Sequence, residues 1–275
     1  MAQELVERGL VRINGRRSKK SEIVGADDRI EVASTNRRAV IEPNADLALE
    51  VLHEDAALIV VNKPGGMPCH PLDADERDTV MNAVVARFPE IATVGQKPLE
   101  GGLVHRLDNG TSGALLIARN RGTFDKLRDA IRAGRIARRY EALVAGALER
   151  KTEIDTPIAH HAKNARKMIV GDPSSANPKR AGRPASTVVE PIRRVGEFTL
   201  VSVAPKTGSR HQIRVHLASI GLPIVGDTLY AGPAIETLAH GRFWLHLCDV
   251  AFDSPAVGHV KVTAPVPPDL KKFLD

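Results

Sequence analysis

The chain has 275 residues, 43% of them hydrophobic, which is ample for a real core, and its 2 cysteines are too few for a disulfide framework. A total of 39 Lys and Arg against 33 Asp and Glu leaves a formal charge of +6, which suits a polyanionic partner without requiring one. Aromatic content of 3% excludes a broad stacking platform for single strands, so any base stacking falls to one or two rings.

Neither end carries a charged-then-apolar leader or a long apolar run, so a soluble, reducing, cytoplasmic protein with no membrane contact is expected. In chain order, LVRINGRRSKKSEIVGADDRIEVAS alternates apolar and polar residues through Val11 and Ile13, turns at Asn14-Gly15, and alternates again through Ile30 and Val32. This reads as a small β unit. Its basic tip, Arg16, Arg17, Lys19 and Lys20, is either a solvated loop or a phosphate contact. TNRRAVIEPNAD lacks periodicity and carries Pro43 and Asn44, which predicts a linker over residues 36–46 between a unit at 1–35 and a larger one at 47–275.

The larger unit opens with ALIVVNKPGGMPCHP, an apolar strand at 57–61 ending in a Pro-Gly-Gly turn beside Lys63. A helix-like stretch follows near 78–88. In GGLVHRLDNGTSGALLIAR the apolar runs LVHRL and GALLIAR flank Asn109-Gly110, as in a hairpin or near-hairpin, and Asp108 falls at a strand end. TFDKLRDAIRAG places Phe124, Leu127 and Ile131 on one helical face and stops at Gly134, before ARRYEALVAG resumes as a strand containing Tyr140. Residues 160–183 hold 6 Lys or Arg against 1 Asp, with Pro and Gly breaks, and read as a basic loop or ribbon. After the strand FTLVSVAP, the segment RHQIRVHLASIG carries an apolar stripe of Ile213, Leu217 and Ile220 closed by Gly221, with Arg210 and Arg214 on the neighbouring face. Strands and helices mix without regular βαβ alternation or internal repeats, so the fold class is α+β.

Several chemistries fail on spacing. There is no HExxH and no paired-Cys motif, and His211 and His216 stand five apart, off a common helical face, so no metal is expected. Pro68-Cys69 lacks the second cysteine and the His-x-Glu of a zinc deaminase. Lys63-Pro-Gly-Gly lacks the phosphate-loop pattern, and Ser112 lacks the context of a hydrolase nucleophile. Asp108 remains, with two readings: a turn residue accepting hydrogen bonds before Asn109-Gly110, or a carboxylate at a cleft, kept ionised by an arginine and available as nucleophile or base. Spacing alone does not pair it with Arg214.

VNKPGGMPCHP, GGLVHRLDNGTSGALLIAR, RRYEALVAG, Arg166-Lys167-Met168 and KTGSRHQIRVHLASIGLPIVGDTLY occur in the order and spacing of the RluA family of RNA pseudouridine synthases. The resemblance covers roughly residues 47–275, and the first 35 residues resemble the latter part of an S4 RNA-binding domain, shortened at its start. It implies a central mixed, mostly antiparallel sheet flanked by helices and loops. It also implies that Asp108 is the catalytic aspartate, Tyr140 the active-site tyrosine and Arg214 the arginine paired with the aspartate. Arg106 corresponds to the arginine that fills the gap left by the flipped nucleotide, and Leu217 to a hydrophobic wall of the uracil pocket. Arg16, Arg17, Lys19, Lys20, Arg166 and Lys167 are expected RNA contacts. No cofactor or metal is needed for an isomerisation without a redox step.

The expected partner is RNA, and the S4-like unit favours large-subunit ribosomal RNA over tRNA by analogy; a monomer is the default for the family. Asn109-Gly110, Ser209-Arg210 and the short S4-like unit depart from the usual pattern of the family and are expected to bear on RNA contacts. Two competing functions are a non-catalytic RNA-binding or assembly protein, and a nucleoside glycosidase, which would want two carboxylates flanking the sugar.

Overall fold

The computed structural model describes residues 5–6, 9–32 and 40–274. The chain divides into two compact units, Met1–Val40 and Ile41–Asp275. In the first, β1 (Val11–Ile13), β2 (Arg16–Arg17) and β3 (Ile30–Val32) form an antiparallel sheet in the order β2-β1-β3. Asn14 (φ 51) and Gly15 (φ 77) both take the left-handed backbone that a two-residue hairpin turn demands. The Asn14 side chain also donates to Asp28 Oδ1 at 2.6 Å and accepts the Arg29 N–H at 2.9 Å, which ties the entry to β3 back to the turn. This small sheet fits the expected S4-like unit. Arg16 and Arg17 form its edge strand instead of a loop, and both are exposed, as are Lys19 and Lys20.

The expected linker needs correction. Residues 36–39 lie outside the described residues, but 41–46 are no tether. Ile41 is 2% exposed in the core of the larger unit. Asn44 donates its N–H to the Asn82 carbonyl at 3.0 Å, and the Asn82 side chain donates to the Glu42 carbonyl at 2.7 Å. An aperiodic segment whose backbone groups are satisfied by a helix start leaves no local signature of its burial.

In the larger unit the strands are β4 (Glu50–Glu54), β5 (Leu58–Lys63), β6 (Ser112–Ala118), β7 (Ala137–Ala145), β8 (Thr152–Ile154), β9 (Ile158–His160), β10 (Met168–Val170), β11 (Thr187–Val195), β12 (Phe198–Pro205), β13 (Leu245–Ser254) and β14 (Gly258–Thr263). Among the described residues nine of them make one sheet, ordered β4-β5-β6-β13-β7-β12-β11-β8 with β14 on β13. Among the described residues, only β6 and β13 of this sheet pair in parallel. The sheet is therefore mixed and mostly antiparallel, and with its helices the fold is α+β, as expected. β5 and β6 are interior strands, and their continuous apolar runs are buried, as strands covered on both faces must be.

Among the described residues the three longest helices of this unit are α1 (Val80–Arg87), α2 (Arg121–Arg132) and α3 (Gln212–Ser219). Thr79 and Asn82 form a capping box at the start of α1. Asn120 caps α2 by accepting the Thr123 N–H at 2.9 Å, and Phe124 and Leu127 face the core. α3 buries Ile213 and Leu217, but Ile220 is 38% exposed at its C-terminal cap, so the expected stripe is one residue shorter. Arg210 precedes the helix and donates to the Ala165 carbonyl at 3.1 Å, so it does not share a helical face with Arg214. The basic segment 160–183 is partly a ribbon, β9 pairing with β10, whose Met168 packs with Val215 and Tyr230 in a small second core. No helix among the described residues is long and apolar enough to cross a membrane.

Register positions the site. Lys63 pairs with Gly113, Gly113 with Leu247, Leu247 with Tyr140 and Tyr140 with Val203, one row across the five middle strands. Asp108 lies just before that row, on the loop leading into β6.

Candidate active site

The loop carrying Asp108 is fastened at nearly every carbonyl. Thr111 donates its N–H to the Asp108 carbonyl at 3.0 Å. Lys63 Nζ, buried at the end of β5, donates to the carbonyls of Asn109 at 3.1 Å, Thr111 at 2.7 Å and Pro64 at 2.9 Å. Arg242 donates to the Gly110 carbonyl and to Ser112 Oγ. Upstream, the Cys69 thiol accepts the Leu107 N–H at 3.3 Å and donates to the Leu107 carbonyl at 3.2 Å. Burial lowers the Lys63 pKa to about 8, Cys69 and Asp108 pulling it up and Arg242 down, so it is mostly charged near neutrality. A buried ammonium surrounded by carbonyls fixes the backbone without competing for the Asp108 carboxylate.

The Asn109-Gly110 pair is not the primed hairpin turn that its sequence suggests. Neither residue adopts a left-handed backbone. LVHRL forms no strand either: Leu103 makes a single bridge to Ile117, and Ala118 donates to the Gly102 carbonyl at 2.8 Å, a near-hairpin held at its base. Glycine is needed at 110 for space: a Cβ there would sit 2.3 Å from the Gly241 carbonyl oxygen and 2.5 Å from the Phe243 ring. The departure at Gly110 is thus absorbed by packing.

Asp108 meets Arg214 across a separation of 106 residues: Arg214 Nη1 donates to Asp108 Oδ2 at 3.0 Å. The same guanidinium grips Asp227 with Nε to Oδ2 at 2.7 Å and Nη2 to Oδ1 at 2.8 Å, a bidentate pair. Its Cζ lies 4.4 Å from the Phe243 ring centroid and 4.9 Å from that of Tyr230. Burial works against the charged Arg214, but Asp227 and then Asp108 outweigh it and raise its pKa. The arginine is thereby fixed in direction and aims one remaining N–H at Asp108.

Tyr140 is buried on β7, in the register row beside the loop. Burial raises its pKa, Arg138 pulling against this and Asp108 adding to it, so the phenol stays neutral close to the carboxylate. Arg106 is exposed two residues before Asp108, with Lys97 and Arg128 around the same small depression. Leu217 is closed to solvent in the main core, three residues after Arg214. Arg166 is exposed on the β9–β10 ribbon, and Lys167 Nζ sits 5.7 Å from the Tyr230 ring centroid. The structure therefore gathers Asp108, Tyr140 and Arg214 around the Asp108 loop, with Arg106 at its surface. Arg16, Arg17, Lys19 and Lys20 belong to the other unit.

Four members of the site escaped sequence reasoning: Asp227, Tyr230, Lys63 and Arg242. Asp227 and Tyr230 stand in the same specific run as Arg214, but a lone Asp after Gly226 gives no local sign that it anchors an arginine thirteen residues earlier. A buried Lys or Arg, Lys63 at 0% and Arg242 at 3% exposure, is equally invisible to hydropathy.

His105 has a structural use at the same loop. Its Nε2 accepts the Leu116 N–H at 3.2 Å, so the neutral ring keeps its proton on Nδ1, which is shielded and unpartnered. Burial and Arg138 lower its pKa to about 3. Between pH 6.5 and that value the unfolded chain binds a proton that the native ring refuses, so stability is full above 6.5 and declines as pH falls. Between pH 6.5 and 5 the loss at this one group is about 1–2 kcal/mol. Urea unfolding of the protein and of His105→Gln should show a shallower decline in the variant; equal slopes would remove this assignment.

Comparison with known proteins follows the same residues. A family model described as RNA pseudouridylate synthase matches residues 57–219. An uncharacterized RNA pseudouridine synthase of Chloroflexus aurantiacus is 40% identical over 215 residues, 78% of this chain and 64% of that protein, so the chain spans just under two thirds of that relative. The uncharacterized RNA pseudouridine synthase YlyB of Bacillus subtilis is 31% identical over 275 residues, 99% of this chain and 87% of that one. The ribosomal large subunit pseudouridine synthase D of Pseudomonas aeruginosa is 34% identical over 236 residues, 82% and 70% of the two chains. Among solved structures, human RNA pseudouridylate synthase domain containing 1 superposes with a TM-score of 0.63 at 26% identity, covering 84% of this chain and 90% of that one.

Proposed function

The chain belongs to the RluA family of RNA pseudouridine synthases, and we propose from that premise that it isomerises specific uridines of large-subunit ribosomal RNA, with Asp108 acting on the ribose. The observation that carries the assignment of Asp108 is the ion-pair chain Asp227–Arg214–Asp108. Arg214 is held by two bonds to Asp227 and spends a single N–H on Asp108, leaving Asp108 Oδ1 without a hydrogen bond among the described residues. A carboxylate used only to cap a turn would not need a preset buried arginine. The preference for ribosomal RNA rests on relatives named ribosomal large subunit pseudouridine synthase D, including those of Pseudomonas aeruginosa and Haemophilus ducreyi.

The target uridine leaves the stack at a cost of a few kcal/mol, and Arg106, exposed at the loop surface, fills the space it vacates. Tyr140 offers a flat neutral ring against the extruded uracil. Asp108 Oδ1 either attacks C1′ as the N1–C1′ bond breaks, and is released again when C5 of the turned uracil bonds to C1′, or removes the C2′ proton as that bond breaks and returns it to C2′ when C5 bonds to C1′; on both routes the C5 proton is then lost while N1 gains one. Atoms balance without oxidation or reduction. The competing glycosidase would release free uracil, and a binding protein would release nothing. The test is RNA tritiated at uridine C5, taken from a strain lacking the protein: tritium release without free uracil supports the isomerase, and no release from any RNA would leave binding alone.

Phosphate contacts are assigned to Arg16, Arg17, Lys19 and Lys20 on the small unit, and to Arg166 and Lys167 on the ribbon. Replacing the first four together by Gln is expected to weaken RNA binding and to reduce the slope of log affinity against log salt, by up to about 3. An unchanged slope would show that the small sheet does not touch RNA.

A further inference from the structure

Asp108 has one oxygen taken and one exposed to a neighbour that the reaction as described does not use. Arg214 occupies Oδ2 at 3.0 Å, and His211 Nε2 faces Oδ1 at 3.8 Å. We propose that His211 is a positioning residue for Asp108, its imidazole held by Tyr230 so that an Nε2–H restrains the carboxylate oxygen that Arg214 leaves uncovered. The inference rests on Asp108 being the group that acts on the ribose.

The backbone carries the first argument. His211 sits at φ 54, ψ 19, in the left-handed region that glycine occupies freely and other residues occupy under strain. It stands at the N-terminal cap of α3, yet its side chain makes no capping bond there. A glycine would relieve the strain, and an Asn or Asp would cap the helix. What the imidazole does instead is bridge toward Asp108.

The ring is locked from its other side. Tyr230 accepts the Met168 N–H at 2.9 Å, and its hydroxyl lies 2.8 Å from His211 Nδ1. With the hydroxyl proton donated to Nδ1, the neutral ring's own proton falls on Nε2, the atom facing Asp108. The two rings meet edge to face at 89°, with centroids 5.8 Å apart, which leaves the imidazole little freedom to turn. Tyr230 is itself gripped by the Arg214 guanidinium on its ring. The charged groups felt by His211 are Asp108, Arg214, Arg210 and Asp227, with Lys167 beyond on the Tyr230 ring. Burial depresses the imidazole pKa; Asp108 and Asp227 oppose that and Arg214 and Arg210 add to it, so the ring is neutral at pH 7. A neutral donor can orient a carboxylate without neutralising it. At 3.8 Å the contact is longer than a hydrogen bond, as resting catalytic contacts commonly are before substrate closes them.

His211→Asn keeps a residue that tolerates the left-handed backbone while removing the ring. We expect kcat to fall roughly 10- to 100-fold, the range of a hydrogen bond to a charged group, with KM for RNA and the melting temperature unchanged. Tyr230→Phe should lower kcat less, by releasing the tautomer without removing the ring. Independently of activity, the protein labelled with 15N-histidine should show His211, assigned by its absence in His211→Asn, as the neutral Nε2–H tautomer, and Asp108→Asn should shift its resonances. A kcat within threefold of the parent, or an Nδ1–H ring indifferent to Asp108→Asn, overturns the proposal. Absence of tritium release from every RNA by the parent protein would instead overturn the functional reading, and the NMR outcome would still decide whether His211 faces Asp108 as described. If His211→Asn fails to fold, His211→Gln supplies the assignment, and the Tyr230→Phe kinetics and the spectrum of Asp108→Asn remain decisive.

Discussion

Asp108→Ala should eliminate tritium release from C5-labelled RNA, by at least about 10³-fold in single-turnover rate, a scale typical of losing a positioned acid–base group or more. Its melting temperature should nevertheless stay close to that of the parent. Arg214 keeps its bidentate pair with Asp227, so removing Asp108 strands no buried cation, and the Asp108 side chain is itself 27% exposed. The loop is anchored through its carbonyls by Lys63 and Arg242 rather than through the carboxylate, so the backbone at position 108 should persist. RNA affinity should likewise change little. A variant that retained more than a tenth of the parent rate would remove Asp108 from the chemistry. One that unfolded would show that the carboxylate holds the loop, returning it to the turn role open from sequence alone.

Asp227→Ala should behave in the opposite way, losing stability and activity together. Its side chain is 1% exposed and that of Arg214 8%, so truncation leaves a buried guanidinium with only Asp108 for a partner. Breaking a buried pair on one side costs about 3–5 kcal/mol, and in a chain of this size that corresponds to a fall in melting temperature on the order of 10 °C. The arginine, no longer fixed, would also lose its aim at Asp108, and the folded fraction should turn over roughly 10- to 100-fold more slowly. Urea denaturation and kcat measured well below the transition separate the two losses. Adding Arg214→Met to Asp227→Ala should restore much of the stability while leaving the protein inactive, since no charge is then left buried. A singly substituted Asp227→Ala as stable as the parent would show that Arg214 does not depend on this anchor.

These two carboxylates were unequally visible beforehand. Asp108 stands in a run whose residue types and order are specific to one family, so both its candidacy and its pairing with Arg214 could be expected. Asp227 sits in an equally specific run but is distinguished there only by what it touches. Other differences have the same origin. Asn109-Gly110 carries the signature of a primed turn, yet Gly110 is glycine because Gly241 and Phe243 crowd it. Ile220 continues the period of α3 but lies past the point where the helix leaves the core. The stretch at 41–46 has no period at all and is nonetheless fastened to the start of α1.

By itself the sequence determined several of the elements and the class of chemistry. Alternation of period two in β1 and β3, the apolar runs of β5 and β6, and the helical spacing of α2 are local, so each can be read within one segment. The +6 charge and the family's motifs add the RNA substrate and the isomerisation. Only the tertiary structure decided which ionisable groups are taken out of water and paired. Lys63 becomes a clamp rather than a surface charge, Asp227 becomes the anchor of Arg214, and His211 comes to face Asp108, because burial and ion pairing join residues from thirteen to more than a hundred positions apart. The cost of an unpaired buried charge is set by those distant neighbours and leaves no period in the chain.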